Sequence, residues 1–367
     1  MAMITILMFL SLWIATAKDL RAANYMRWGF VIFLIVTAVF NIDRIYLLAP
    51  LAIFVGFAVY GLFAPERDYY IKRKRAWKKK WIAHPSEALA YHSAVWLFRL
   101  LPFVWLSAIS GKLLETVGPY TKAHKIARRN LEVIMPENNN KEFLKKMWNN
   151  WGRTFGESLK FTVYKKNLDK YISFKNRKLF DDMNKNHRPY LVCAPHSGNI
   201  GVATLAFLGF DAPVGITYKF PSNPLMNDAV LENYGSAVTR EIEFIPVGSN
   251  AMHIFRTLLK GGVVNINPDQ RINDGEILQF FGHPAKTSVG VARIALKLDI
   301  PILIAHVRRV DGPKHEIVYD EVLRLPKTGD DNADGINGMQ MINDALERAA
   351  RHHPSEYLWM HRRWGRI

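Results

Sequence analysis

The segment that most limits how this chain can fold is an uncharged run of 20 residues, IYLLAPLAIFVGFAVYGLFA, at positions 45–64. Wound as a helix, a run of that length crosses a hydrocarbon layer about 30 Å thick. It is followed at 67–81 by RDYYIKRKRAWKKKW, which sets eight Lys/Arg against one acid. Basic density directly behind an apolar run marks the cytoplasmic side of a bilayer, so everything downstream is expected there. Two shorter apolar stretches, 3–17 and 29–40, precede the run and are separated by Lys18, Arg21 and Arg27. Three spans would leave the N-terminus outside and those cations inside. No positive region precedes the first stretch, so a cleaved signal peptide is not expected. The expected division is a membrane-spanning module with its basic segment at 1–84 and a separate body at 85–367.

The formal net charge of +17 points to anionic partners: nucleic acid, a lipid surface or an acidic protein. Tyr69, Tyr70, Trp77 and Trp81 are interleaved with the basic run. Beside a span, such a run more simply grips anionic headgroups, or only sets topology. No nucleic-acid motif accompanies the charge, and nucleic acid is not an expected partner. The single cysteine, Cys193, excludes an internal disulfide framework. An amphiphilic stretch at 94–118, kinked at Pro102, reads as a helix lying on or near the membrane surface. A basic helix over TKAHKIARRNLEVIMP should end at Pro136, with a loop over 137–141.

From about position 189 the pattern changes. Strand candidates are YLVCA (190–194), VGITY (214–218), IEFIPV (242–247), GVVNIN (262–267), IPILIAHV (300–307) and EIVYDEV (316–322). Helix candidates lie between them at 201–208, 223–234, 249–260 and 288–298. Ser249 is placed to cap one of these, and Gly261-Gly262 to stop it. This alternation predicts an α/β body, a largely parallel mixed sheet flanked by helices. In open sheets of this kind the crevice lies at the carboxyl ends of the strands. His196 follows one strand and Asp269-Gln270 another, so both are expected at that crevice.

His196 leaves its strand in LVCAPHSGNIGVA (191–203), where a helix opens. Gly198 permits a tight turn, and the amides of Ser197, Gly198 and Asn199 would face a common space suited to developing negative charge. An imidazole there can take a proton from a hydroxyl that attacks an activated acyl carbon. The alternative is a histidine that caps the helix or hydrogen-bonds within the crevice.

Several motifs occur in order: ARRNLEVIMPE (127–137), HSGNI after a strand, PDQ after a later one, FFGHPAKTSVGVARIALKLDIPIL (280–303) and HHPSEYLWMHRRWGR (352–366). Together they resemble the bacterial lipid A late acyltransferases, within the lysophospholipid-acyltransferase-like superfamily, over roughly residues 90–366. The resemblance implies a glycerol-phosphate-acyltransferase-like fold at the cytoplasmic face of the bacterial inner membrane. It implies transfer of a fatty acyl group from acyl carrier protein to a hydroxyl of a lipid A precursor, with His196 as general base. An anionic glycolipid and an acidic carrier protein both suit a basic protein. A thioester already activates the acyl carbon, so no cofactor and no metal are expected.

Within that resemblance, Lys219 and Asn223 fall where substrate contacts are expected, as do Asp269 and Gln270. Asp269 either holds His196 or a cation, or closes a polar turn. Phe281 is expected to border an acyl groove. Lys286 with Thr287 is expected to meet phosphate at the next helix N-terminus, unless Thr287 only caps it. His352, His353 and His361 lie in a basic tail without ligand-spaced partners. Trp359, Arg362, Arg363 and Trp364 look suited to docking on a bilayer.

Two departures stand out. The family places a Glu or Asp five positions after the histidine, and here that position is Gly201. A carboxylate there would orient the imidazole, and losing such a group costs orders of magnitude in rate. The family also has arginines where this chain has Lys219 and, near the following helix, Leu231-Glu232-Asn233. Lysine meets phosphate as a point charge without the bidentate fork, and Arg240 or Arg256 are the candidates to supply the missing charge. The other readings are a silent relative acting as a lipid-binding scaffold, and an acyltransferase for another glycolipid or a lysophospholipid.

Overall fold

The computed structural model describes residues 77, 79–98, 100–219, 223, 225, 242–247 and 251–365. The apolar run at 45–64 and both shorter stretches lie outside them, as do Arg240 and Ser249. Among the described residues no helix is long and apolar enough to cross a membrane. Contacts divide the chain into Met1–Glu87 and Ala88–Ile367. A π-helical turn, Lys79–Ala83, leads into helix α1, His84–Phe98, whose residues from Ala88 onward belong to the second unit.

The second unit is a seven-stranded sheet with helices on both faces. Its strands are β1 (Ile172–Lys175), β2 (Tyr190–Cys193), β3 (Val214–Tyr218), β4 (Ile242–Pro246), β5 (Val263–Ile266), β8 (Ile302–Asp311) and β9 (Lys314–Leu323), in the order β1-β9-β8-β2-β5-β3-β4. Every pairing is parallel except the β8–β9 hairpin. All six strand candidates are strands. The central ones are buried on both faces. Leu191, Cys193, Val264, Ile266, Ile302 and Ile304 point into one apolar cluster. Tyr190, Val192, Val263, Leu303 and Ala305 point into the other. A parallel strand covered on both sides needs an apolar run, which YLVC provides throughout and VVNI provides apart from the buried Asn265.

Two elements escaped the sequence pattern. β1 is short and half-polar, and it exists because β9 offers it an edge. The antiparallel pair β6 (Glu276–Phe280) and β7 (His283–Thr287) forms a separate hairpin whose turn, Phe281-Gly282, has φ of 55° and 72°.

The helices differ at their boundaries. The stretch expected as one kinked helix is two, α1 and α2 (Phe103–Val117), with Pro102 at the break. The basic helix α3 (Lys122–Ile134) is capped by Thr121, whose side chain accepts from the His124 amide. Asn140, within the expected loop, caps α4 (Lys141–Ser158). Two short helices, α5 (Thr162–Lys166) and α6 (Leu168–Tyr171), precede β1, and α7 (Arg177–Asn186) follows it. The expected helix at 201–208 is one α-turn, α8 (Ile200–Ala203), continued as a 3-10 turn, Thr204–Phe207. α9 (Met252–Leu259) starts after Ala251 without a side-chain cap. α10 (Gly290–Leu298) begins two residues later than expected, and α11 (Asp331–His352) packs beside it.

α2 and α4 touch at backbone distance. A Cβ on Gly152 would lie 2.3 Å from the Ser110 carbonyl oxygen, and one on Gly156 would lie 2.4 Å from Ser110 Oγ. The opposite face of α2 carries exposed Val104, Trp105, Ile109, Leu113 and Val117, with Trp105 65% exposed.

Candidate active site

Register brings the central pair together. Cys193, the last residue of β2, pairs with Ile266, the last of β5. His196 lies three residues beyond the first and Asp269 three beyond the second. Adjacent strands run about 4.8 Å apart, so equal overhangs at one sheet edge meet. His196 Nδ1 lies 2.5 Å from Asp269 Oδ1, and the His196 backbone N–H donates to Asp269 Oδ2 at 2.8 Å. Burial and the neighbouring Asp269 charge push the Tyr357 hydroxyl pKa well above its ordinary value. Asp269 is buried, while the His196 side chain stays 16% exposed. The carboxylate absent at Gly201 is thus replaced from a neighbouring strand, and Asp269 holds the imidazole rather than substrate.

Burial by itself would lower the His196 pKa, but the charge and hydrogen bond of Asp269 outweigh it and raise it. Burial likewise opposes ionisation of Asp269, yet His196, two hydrogen bonds and the Arg363 charge hold its pKa below the usual value. With Nδ1–H given to Asp269, the lone pair sits on Nε2. The Gln270 carboxamide nitrogen lies 3.1 Å from that atom and donates to it. Nε2 is therefore the basic atom, and the Gln270 amide caps it.

The turn itself is held from behind. Gly198 has φ of 64°, and a Cβ there would lie 2.3 Å from the Val307 carbonyl oxygen. Ser197 N–H donates to the Pro195 carbonyl at 2.8 Å and Gly198 N–H to the Glu356 carbonyl at 3.1 Å. This corrects the expected oxyanion role for those two amides, since both are spent within the protein. The Asn199 side chain donates to Glu157 at 3.0 Å and is buried. The Leu358 N–H donates back to the His196 carbonyl at 3.0 Å. An apolar crevice lined by Val192, Pro195, Ile200, Phe207 and Val307 lies under the turn. Only about 20 Å³ of it is open to a water-sized sphere, room for one water and not for a fatty tail.

The remaining candidates separate. Lys219 lies exposed just past β3, and its charge is felt by His361, as are those of His196 and Asp269. His361, expected in a tail, thus lies within electrostatic reach of His196 and Asp269, and burial holds its pKa down. Asn223 is buried and accepts from the Leu225 N–H at 3.1 Å. Arg256 is exposed on α9. Phe281 does not border a groove. It is buried at 3% exposure among Phe280, Tyr357, Trp359 and Trp364. Lys286 and Thr287 belong to β7, not to a helix N-terminus. Lys286 Nζ donates to the Asn273 carbonyl at 2.8 Å, and α10 begins three residues after Thr287.

The C-terminal residues are likewise corrected. Trp359, Arg363 and Trp364 do not face a bilayer but are buried, and of the four only Arg362 is exposed. Arg363 donates to the Lys286 carbonyl and to Thr287 Oγ1, each at 2.7 Å, and its guanidinium lies 4.9 Å from the Phe280 ring centre. Asn130 from ARRNLEV donates to the Trp359 and His361 carbonyls at 2.7 and 2.8 Å, tying two of the motifs together. Periodicity had no means of showing that this polar-looking tail is a wall of the site. Among the described residues no group of three or more His, Cys, Asp or Glu is arranged to hold a metal.

Residues 75–366 match the family model described as bacterial lipid A biosynthesis acyltransferase. No curated protein matches the chain.

Proposed function

The chain belongs to the bacterial lipid A biosynthesis acyltransferase family, and from that premise we propose that it moves a fatty acyl group from acyl carrier protein to a hydroxyl of a lipid A precursor, with His196 as general base. Family membership implies acyl transfer in lipid A biosynthesis and a lipid substrate. The finer reading rests on one observation, the 2.5 Å bond between His196 Nδ1 and Asp269 Oδ1. That bond sets the tautomer and leaves Nε2 as the proton acceptor. The acceptor hydroxyl displaces the Gln270 amide from Nε2 and loses its proton to it as its oxygen bonds to the thioester carbonyl carbon. The tetrahedral oxyanion then collapses, the C–S bond breaks, and the imidazolium returns the proton to sulfur. Gln270, the amide donor beside Nε2, is placed to hold the oxyanion, a role that the Ser197 and Gly198 amides cannot fill. Lys219 supplies positive charge at the same rim for a phosphorylated acceptor.

Membrane attachment belongs to the same proposal. The exposed face of α2, with Trp105, Ile109 and Leu113, is apolar enough to sit at a lipid interface. The basic run at 67–81 suits anionic headgroups of the cytoplasmic leaflet of the bacterial inner membrane.

The test is acyl transfer by the detergent-solubilised full chain, with acyl carrier protein as donor and a panel of acceptors: a lipid A precursor, another glycolipid and a lysophospholipid. Transfer to the lipid A precursor that disappears in His196→Ala supports the reading, and transfer that persists in that variant overturns it. A wild type inactive on every acceptor that gains activity on Gly201→Glu would favour the silent, lipid-binding relative.

A further inference from the structure

A second carboxylate lies behind the catalytic turn. Glu157, near the end of α4, is fully buried. Ser107 Oγ on α2 donates to its Oε1 at 2.7 Å. Arg309 on β8 grips both oxygens, with Nη2 at 3.2 Å from Oε2. His315 on β9 lies with Nε2 at 3.0 Å from Oε2 and 3.1 Å from the Tyr164 hydroxyl. The remaining donor is Asn199, the third residue after His196, at 3.0 Å. Glu157 thus collects two helices, the β8–β9 hairpin and the catalytic turn on one carboxylate.

We propose that Glu157 is a positioning residue for His196, acting through the Asn199 side chain to hold the turn on which the imidazole stands. The inference rests on His196 being the base, but not on the identity of the acyl donor or acceptor. Three anchors hold the turn. Asp269 takes the His196 ring and its amide, the Glu356 carbonyl takes the Gly198 amide, and Glu157 takes the far end at Asn199. Because Gly201 supplies no local carboxylate, the ring depends on a partner from another strand. The 2.5 Å contact survives only while the turn keeps its place against β5. Cutting the anchor at Asn199 lets the turn rotate, and the Nδ1–Asp269 bond lengthens. Placement errors of about 1 Å are enough to cost roughly 100-fold in rate.

The obvious variant, Glu157→Gln, leaves Arg309 buried without its counter-charge and is prone to unfold. Asn199→Ala removes the tether and leaves Glu157 its other donors. The readout is the His196 ring itself, followed by NMR in protein with labelled histidines, beside the acyl-transfer assay. The groups facing that ring are Asp269 and Gln270 past β5 and His361 from the C-terminal segment; Tyr357 and Arg363 act on Asp269, and Lys219 past β3 acts on His361. Asn199→Ala should melt within a few degrees of wild type. It should also weaken or lose the downfield Nδ1–H signal, bring the His196 pKa down toward that of an ordinary histidine, and lower kcat at least 10-fold with KM little changed. A fold-preserving Asn199→Ala that keeps the wild-type His196 signal and pKa overturns the proposal. In a double-mutant cycle, Glu157→Gln added to Asn199→Ala should move the His196 signal of the folded protein no further, and additive shifts would also overturn it. If the chain transfers no acyl group to any acceptor, the ring measurements still decide the question, so the two readings fail separately.

Discussion

Two histidine–carboxylate pairs stand close together in this fold and behave in opposite ways. At the crevice, Asp269 raises the His196 pKa despite burial. Behind it, Glu157 fails to do the same for His315, whose pKa burial holds below the ordinary value. Both carboxylates are buried and both have depressed pKa values. The difference is the third partner. Arg309 is bonded to Glu157 and already neutralises it, so a proton on His315 would be a surplus charge in a sealed space. Arg363 reaches Asp269 only through its field, while its own donors are spent on Lys286 and Thr287. Asp269 therefore keeps a negative charge to lend to an imidazolium that can form and discharge. One pair is free to exchange a proton at the crevice. The other holds the frame.

That contrast can be broken first at Asp269. Asp269→Asn should lower kcat by roughly 10³- to 10⁴-fold, because the amide forces the wrong tautomer on His196. Its melting temperature should fall far less than its activity, which a thermal melt beside the transfer assay will show. A loss of under tenfold would mean that Asp269 is only a structural partner.

Glu157→Gln should divide the effects the other way. Leaving a buried Arg309 unpaired costs about 3–5 kcal/mol, measurable by chemical denaturation. The sign with pH follows from the depressed pKa of Glu157. Its contribution is complete above the unfolded carboxylate pKa of about 4.3 and fades as pH falls below it. A stability difference between wild type and Glu157→Gln that stays constant down to pH 3 would contradict this.

The smaller effects concern pH and the amide beside the base. Because Asp269 raises the pKa of His196, kcat/KM should climb with pH through an acid limb lying above 6.5, and Asp269→Asn should move that limb to lower pH. Glu356, pushed up to about 7 mainly by burial, ionises against a cost as pH rises from 4.5 to 7. Glu356→Gln should therefore melt higher than wild type at pH 8 and show no gain at pH 4. Gln270→Ala should reduce kcat about tenfold and leave the position of the acid limb nearly unchanged, since the amide touches Nε2 without carrying charge. A shift of that limb by a full pH unit would show that Gln270 tunes the base.

Much of the sheet was legible because its signal is local. A strand covered on both faces is rich in apolar residues, and Tyr190–Cys193 and Val263–Ile266 show this, with Asn265 the one polar letter between them. His196 was legible for a related reason, since a polar residue at the exit of a buried strand stands out against its neighbours. Glu157 was not legible, because GESLK at the end of an amphipathic helix looks like any solvated turn. Its partners come from four other places in the chain. The C-terminal HRRWG misled for the same cause. Arg363 is charged in any context, and only the Lys286 carbonyl, Thr287 and the Phe280 ring make its burial tolerable.

Residue order alone established the strand succession, the exit histidine and the family, since each depends on periodicity or on short motifs read in series. Which carboxylate serves that histidine was settled by parallel register. Cys193 lies beside Ile266, and a slip of one residue would turn every side chain of the strand to the opposite face. The pairing of Arg309 with Glu157 was settled by α4 lying against β8, where Arg309 Nη2 also reaches Thr154 Oγ1 at 3.2 Å. Distances between remote residues come from such packing, and no local pattern encodes them.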